Sequence, residues 1–141
     1  MISGLNHITI AVKDLERSFQ FYSKILGFSP LMKHSKGAYF LAGDCWFCLD
    51  LDLTTRLEPL PEYTHFAFSV SQENFEKMAI QIKKSESKIW KENISEGESI
   101  YFLDPDGHKL EVHVGDWKTR IDELKKKPWN NSIEFFDLAT T

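Results

Sequence analysis

Two histidines that each open an alternating apolar run, and a glutamate inside a third such run, are the residues of this chain best suited to hold a metal ion. His7 leads His7-Ile8-Thr9-Ile10-Ala11-Val12, His65 leads His65-Phe66-Ala67-Phe68-Ser69-Val70, and Glu111 stands in Lys109-Leu110-Glu111-Val112-His113-Val114. Successive side chains of a strand point to opposite faces. Ile8, Ile10 and Val12 therefore oppose His7, Thr9 and Ala11; Phe66, Phe68 and Val70 oppose His65, Ala67 and Ser69; Leu110, Val112 and Val114 oppose Glu111 and His113. If the sheets curl into a cup, two imidazoles and a carboxylate line its concave side. Nitrogen and oxygen donors without thiolate suit Mn, Fe, Co, Ni or Zn, and three protein ligands leave coordination positions open, as catalysis requires.

The two histidines are related by an internal repeat. They are 58 residues apart, and Tyr39-Phe40-Leu41 recurs 62 residues later as Tyr101-Phe102-Leu103. Ten positions beyond each tyrosine lie Leu49 and Glu111. On that spacing Leu49 is the vacant fourth corner of a pseudo-symmetric site. Two copies are too few for a solenoid, so a paired domain is expected.

The elements that must position these residues follow from periodicity. After the first strand, Asp14 is placed to cap a helix whose Leu15, Phe19, Tyr22 and Leu26 recur at helical spacing until Gly27 stops it. Three short strands follow, 28–32, 37–41 and 45–49, with Gly43-Asp44 as a turn. Ser71 begins the second helix, with Phe75, Met78, Ala79 and Ile82 on one stripe. Strands then fall near 88–91, 99–103 and 109–114, the last two joined by the Asp104-Pro105-Asp106-Gly107 turn. Each copy is a βαβββ unit in an α+β chain. The expected division is one domain, 1–141, with module one at 4–53, a linker at 54–61, module two at 62–115, and a C-terminal helix and tail at 116–141. That helix, 117–127, ends before Pro128, and the aromatic residues after it are expected to dock.

A chain of 141 residues that is 42% hydrophobic can bury a real core. Its net charge of -4 argues against general binding to nucleic acid or an anionic membrane surface. No apolar stretch approaches the roughly 20 residues that span a bilayer, and no signal-peptide pattern precedes the first strand, so a cytoplasmic location is expected. Cys45 and Cys48 have metal-site or redox spacing, but on a strand they face opposite ways. Two reduced cysteines are the expected state.

Paired βαβββ modules with His, His and Glu ligands resemble the vicinal oxygen chelate superfamily. Within it, Gly4-Leu5-Asn6-His7-Ile8-Thr9, Tyr63-Thr64-His65-Phe66-Ala67-Phe68, the run from Trp90 through Asn93-Ile94-Ser95-Glu96-Gly97 to Glu111, and Val114-Gly115-Asp116 with Arg120 are similar to the fosfomycin-resistance glutathione transferases. The resemblance implies Mn(II) on His7, His65 and Glu111, and a potassium ion in the loop of Asn93, Ser95, Gly97 and Ser99. It implies a homodimer of cup-shaped barrels with swapped modules, each site taking His7 from one subunit and His65 with Glu111 from the other. The implied reaction adds glutathione to the epoxide of fosfomycin. Thr9, Lys91, Ser95, Ser99, Tyr101 and Arg120 match positions that hold the phosphonate, which needs cations and hydroxyl donors. Tyr39 matches a position near the attacking sulfur. Thr9 and Tyr39 are thus the candidate catalytic residues, with Trp46 and Tyr63 as pocket walls.

Rival readings stay open at this point. Related enzymes use another thiol or water, and the hydratases carry a glutamate where this chain has Gly37, so hydration lacks its base here. Ile94 and Trp129 stand where more polar or phenolic residues are expected. The same ligands also suit an Fe(II) ring-cleaving dioxygenase. A drug-sequestering protein could use the same modules, with no need of the metal triad.

Overall fold

The structure, a computed structural model, describes residues 1–138. Its strands form two four-stranded sheets, one per module, with the same internal order. In module one β1 (His7–Val12) pairs in parallel with β4 (Cys45–Leu51), which runs antiparallel to β3 (Gly37–Ala42) and leaves β2 (Ser29–His34) at the edge. In module two β5 (Phe66–Ser69) pairs in parallel with β8 (Lys109–His113), which runs antiparallel to β7 (Ser99–Leu103), with β6 (Ile89–Lys91) outermost. This is the α+β architecture of two βαβββ units that the repeat implies.

Capping follows the sequence. The Asp14 carboxylate accepts the Arg17 N–H at 3.0 Å at the start of α1 (Leu15–Gln20), and the Ser71 hydroxyl accepts from Asn74 at the start of α2 (Gln72–Lys84). The first helix is not one regular α-helix: past Gln20 it widens into a π turn, Phe21–Ile25, before Gly27 turns the chain at φ +74°. Phe21 and Tyr22, adjacent in sequence, are both buried there. A third helix, α3 (Trp117–Lys126), starts at Asp116, which forms a reciprocal capping box with Thr119. Beyond it, among the described residues, Phe135 meets the Lys125 ammonium of α3 at 5.5 Å from its ring centroid, while Trp129 and Phe136 remain exposed, so these two of the aromatic residues expected to dock do not.

One hydrophobic core serves both modules. Phe28 and Phe47 of module one pack edge-on against Phe68 of module two, with ring centroids 5.1 and 5.8 Å apart. A polar fastening supplements it. The turn between β7 and β8, which reads as a simple loop in the sequence, is buried against module one. Asp106 accepts the Lys13 N–H at 2.9 Å and the Ser18 hydroxyl at 3.2 Å, the Tyr22 hydroxyl donates to Asp104 at 2.6 Å, and the His108 ring donates to the Ala11 carbonyl at 2.7 Å.

The register corrects the sequence in one respect that matters for chemistry. In module two Glu111 lies opposite both Ala67 and Tyr101, and in module one the residue opposite both Thr9 and Tyr39 is Cys48. The fourth corner is therefore Cys48; Leu49 points into the core and is only 2% exposed. The cause is turn length: from Leu41 to its partner Trp46 is five positions, whereas from Leu103 to Lys109 is six. Equal spacing from the tyrosine thus overshoots by one residue in module one.

Candidate metal and anion site

The second sheet brings two of the three expected ligands together. His65, just before β5, and Glu111, in the middle of β8, meet with Nε2 3.0 Å from Oε2. His65 Nδ1 lies 2.8 Å from the Tyr63 carbonyl, which can only accept, so Nδ1 carries a hydrogen and Nε2 faces the carboxylate. His7 is arranged the same way: its Nδ1 lies 2.7 Å from the Asn6 side-chain oxygen, leaving Nε2 free to bind. Such partners fix the coordinating nitrogen of metal-binding histidines. Neither partner was picked out from the sequence, although Asn6 is the immediate neighbour of His7.

Glu111 is 7% exposed, and its second oxygen is also engaged. The Ser99 hydroxyl lies 2.7 Å from Oε1 and His113 Nδ1 lies 3.6 Å from it. Around this pair stand most of the expected anion-binding residues. Lys91 donates to the Tyr63 hydroxyl at 2.6 Å and lies 4.8 and 4.9 Å from the centroids of the Tyr63 and Tyr101 rings. That hydrogen bond to Tyr63, above all, holds the Lys91 ammonium above its usual pKa and keeps it cationic. Arg120 reaches from α3 into the loop between β6 and β7, where Nε lies 3.1 Å from Glu96 Oε2 and Nη2 lies 3.3 Å from Ser95 Oγ. The loop is knit by the Asn93 amide, which donates to the Gly97 carbonyl at 2.8 Å and accepts from both N and Oγ of Ser95. Of the four residues expected to hold potassium, Asn93, Ser95 and Gly97 thus form one cluster, while the Ser99 hydroxyl turns to Glu111.

The first sheet gathers a different set. His7, Thr9, Tyr39, Trp46 and Cys48 line a hollow of about 190 Å³. Trp46 packs against both His7 and Tyr39, with centroids 4.6 and 5.2 Å apart, and its indole N–H is buried with no acceptor among the described residues. Burial pushes the Cys48 thiol up, against the pull of its hydrogen bond with Thr9, so this corner presents a neutral group. Both cysteines are free thiols. A side chain at Gly37 would come within 2.9 Å of the Leu49 carbonyl and 3.0 Å of the His34 ring, so the backbone leaves no space there for a general base.

The expected ligands are therefore divided: His7 belongs to one sheet, His65 and Glu111 to the other, and no group of three or more His, Cys, Asp or Glu side chains among the described residues is placed to hold a metal. The donors nonetheless fit a divalent ion. Two imidazoles have their Nδ1 atoms engaged, and a buried carboxylate has one oxygen directed at His65.

Residues 4–112 match the model of the glyoxalase/bleomycin resistance protein/dioxygenase superfamily, and the chain belongs to that family. Among its relatives, it is 44% identical to glutathione transferase FosA of Serratia marcescens over 99% of this chain and 100% of that protein. It is 40% identical to metallothiol transferase FosB of Staphylococcus epidermidis, over 93% of this chain and 98% of that one. Its fold is also similar to that of a mutant form of the fosfomycin resistance protein FosX from Listeria monocytogenes, crystallised with Mn(II) and 1S,2S-dihydroxypropylphosphonic acid. That match has a TM-score of 0.76 and 33% identity over 87% of this chain and 98% of the other. No helix among the described residues is long and apolar enough to cross a membrane.

Proposed function

We propose that this chain is a metal-dependent thiol transferase that inactivates the epoxide antibiotic fosfomycin by adding glutathione to its oxirane ring. The observation that carries the reading is the convergence of His65 Nε2 and Glu111 Oε2 at 3.0 Å beside Lys91, Tyr101 and Ser99, a ligand pair next to groups suited to an anion. Mn(II) is the proposed ion and His7 its third ligand. Because His7 sits on the other sheet, the complete site would pair His65 and Glu111 with His7 of the partner subunit in a swapped homodimer.

When bound, the divalent ion supplies positive charge where the epoxide oxygen becomes an alkoxide. The chain's own residues do the rest. Lys91, Arg120, Ser95, Tyr101 and Thr9 hold the phosphonate by charge and hydroxyl donation, with Trp46 and Tyr63 as walls, while Ser99 lies beside them with its one hydroxyl hydrogen turned to Glu111. Asn93, Ser95, Gly97 and Ser99 would hold a potassium ion, whose charge would lie beside the phosphonate. Tyr39 stands by the sulfur, and holding sulfur and ring carbon together makes the attack effectively unimolecular. The new C–S bond forms as a ring C–O bond breaks. The electron pair goes to oxygen, which takes up a proton to balance the one the thiol lost.

In this reading residues 4–53 and 62–115 act as the two half-sites of one domain, joined by the 54–61 linker, and a reducing cytoplasm suits the thiol co-substrate and the free cysteines. The test is to incubate the protein with Mn(II), fosfomycin and either glutathione, cysteine, bacillithiol or no thiol, and to weigh the products. A glutathione adduct is the expected product. Preferential reaction with another thiol would reassign the co-substrate, and a diol formed without thiol would overturn the transferase reading.

A further inference from the structure

We infer that His113 is a positioning residue: by donating a hydrogen bond through Nδ1 to Ser99, it aims the single Ser99 proton at Glu111 and so sets the geometry of the metal-binding carboxylate. This rests on the proposed metal site and adds a residue to it.

The argument begins with the proton count. Ser99 Oγ lies 2.7 Å from Glu111 Oε1 and 2.6 Å from His113 Nδ1. A hydroxyl has one hydrogen to give, and an ionised carboxylate can only accept. Ser99 therefore donates to Glu111, and Nδ1 of His113 carries the hydrogen that Ser99 accepts. The resulting chain, His113 to Ser99 to Glu111 Oε1, occupies one carboxylate oxygen and leaves the other, Oε2, toward His65. The side chains of His113 and Glu111 are 15% and 9% exposed, which gives these bonds more weight than solvent-exposed ones carry.

Two further observations separate this from a chance contact. Ser99 and His113 are directly opposed across β7 and β8, but the corresponding pair in module one is Gly37 and Asp50, which cannot make the bond. The sheet therefore does not require it. The ring is also closely flanked by two glycines: a Cβ on Gly97 would meet the Val114 carbonyl at 2.5 Å and His113 Cε1 at 3.0 Å, and one on Gly115 would meet Thr119 Oγ1 at 2.9 Å and His113 Nε2 at 3.2 Å. Gly97 belongs to the loop of Asn93 and Ser95, so the imidazole lies between that loop and the carboxylate.

An asparagine amide can reproduce the donor at Nδ1, a glutamine amide reaches only to the region of Nε2, and leucine offers none. Mn(II) affinity of His113→Asn is expected to stay within about threefold of wild type. His113→Gln and His113→Leu should each lose about tenfold or more, as when outer partners of metal ligands are removed. Melting temperatures would show that all are folded, and saturating Mn(II) should return turnover of His113→Gln toward wild type. In a Ser99→Ala background the differences among the three should vanish. Equal affinities in all three variants, whether wild-type or equally weak, would overturn the inference. If wild type binds Mn(II) but does not turn over fosfomycin, the functional reading fails while the Asn-to-Gln comparison still decides the role of His113. If wild type binds no Mn(II), both fall.

Discussion

His7→Ala and Glu111→Ala test the division of the site between two chains. In the proposed homodimer each substitution removes one metal ligand from every site, so each variant alone should be inactive. Combining the two is informative because β1, with His7, and β8, with Glu111, lie in different sheets. In a hybrid of the two variants with swapped modules, one site carries both lesions and the other carries neither. Random pairing makes half of the dimers hybrids, and each hybrid has one intact site of two, so about one quarter of wild-type activity should return. Hybrids isolated by two different affinity tags should show about half of wild-type activity per dimer. If each chain assembled its own site, every site would contain one lesion and nothing would be recovered. The assay is fosfomycin conjugation at saturating Mn(II) and glutathione, after co-expression of the variants. Isolated hybrids with no activity above the parents would refute the divided site.

Asp106→Ala removes the acceptor of the buried Ser18 Oγ, of the part-buried Lys13 N and of the partly exposed Arg17; at about 1–3 kcal/mol for the buried donor left unpaired, a loss of at least about 1–3 kcal/mol is expected in urea denaturation. A loss below about 1 kcal/mol would show that the turn does not fasten the modules. Cys48→Glu places a carboxylate at the corner equivalent to Glu111, so Mn(II) should bind more tightly while fosfomycin turnover falls; unchanged metal affinity would show that Cys48 does not face the ion. Burial, with the neighbouring Asp104 carboxylate, holds the folded-state Tyr22 phenol well above its usual 10.0. Above about pH 10 the unfolded chain therefore releases this proton first and stability falls as pH rises; Tyr22→Phe should flatten that fall, and an unchanged slope in denaturation would contradict it.

Residue types carried much of this architecture in plain view. Alternation at His7–Val12 is a direct consequence of a strand with one buried face, and Tyr-Phe-Leu recurs on the same strand of each copy, so the paired modules were legible. The fourth corner was misplaced because strand register depends on turn length, and the turn after Leu103 is one residue longer than that after Leu41. The π turn at Phe21–Ile25 was hidden because its apolar residues still fit a helical stripe. The hydrogen-bond partners of the ligands were also out of reach. Tyr63 contributes a backbone carbonyl to His65, and His113 meets Ser99 from 14 positions away. The Asp104–His108 turn advertised only its bend, since its fastening role depends on helix α1 lying 80 to 90 residues earlier in the chain.

The repeat is most useful where it breaks. Both modules present a histidine two residues ahead of the position, Thr9 or Ala67, that faces the corner across the sheet, but that corner is a buried carboxylate in one and a neutral thiol in the other. The position opposite each tyrosine thus decides the charge of its half-site. Module two holds a carboxylate with Lys91 nearby, and Arg120 reaches the adjoining loop of Ser95 and Glu96 from α3, so this half is suited to a cation and an anion together. Module one offers His7, two aromatic rings, Thr9 and Cys48, with no carboxylate at its corner. A second carboxylate at position 48 would take up a coordination position on the ion and repel the phosphonate. In the proposed site a thiol there would keep one ion and leave room for substrate. On the proposed function, the asymmetry between Cys48 and Glu111, rather than the shared histidines, would be what lets a symmetric fold perform a reaction between two anions.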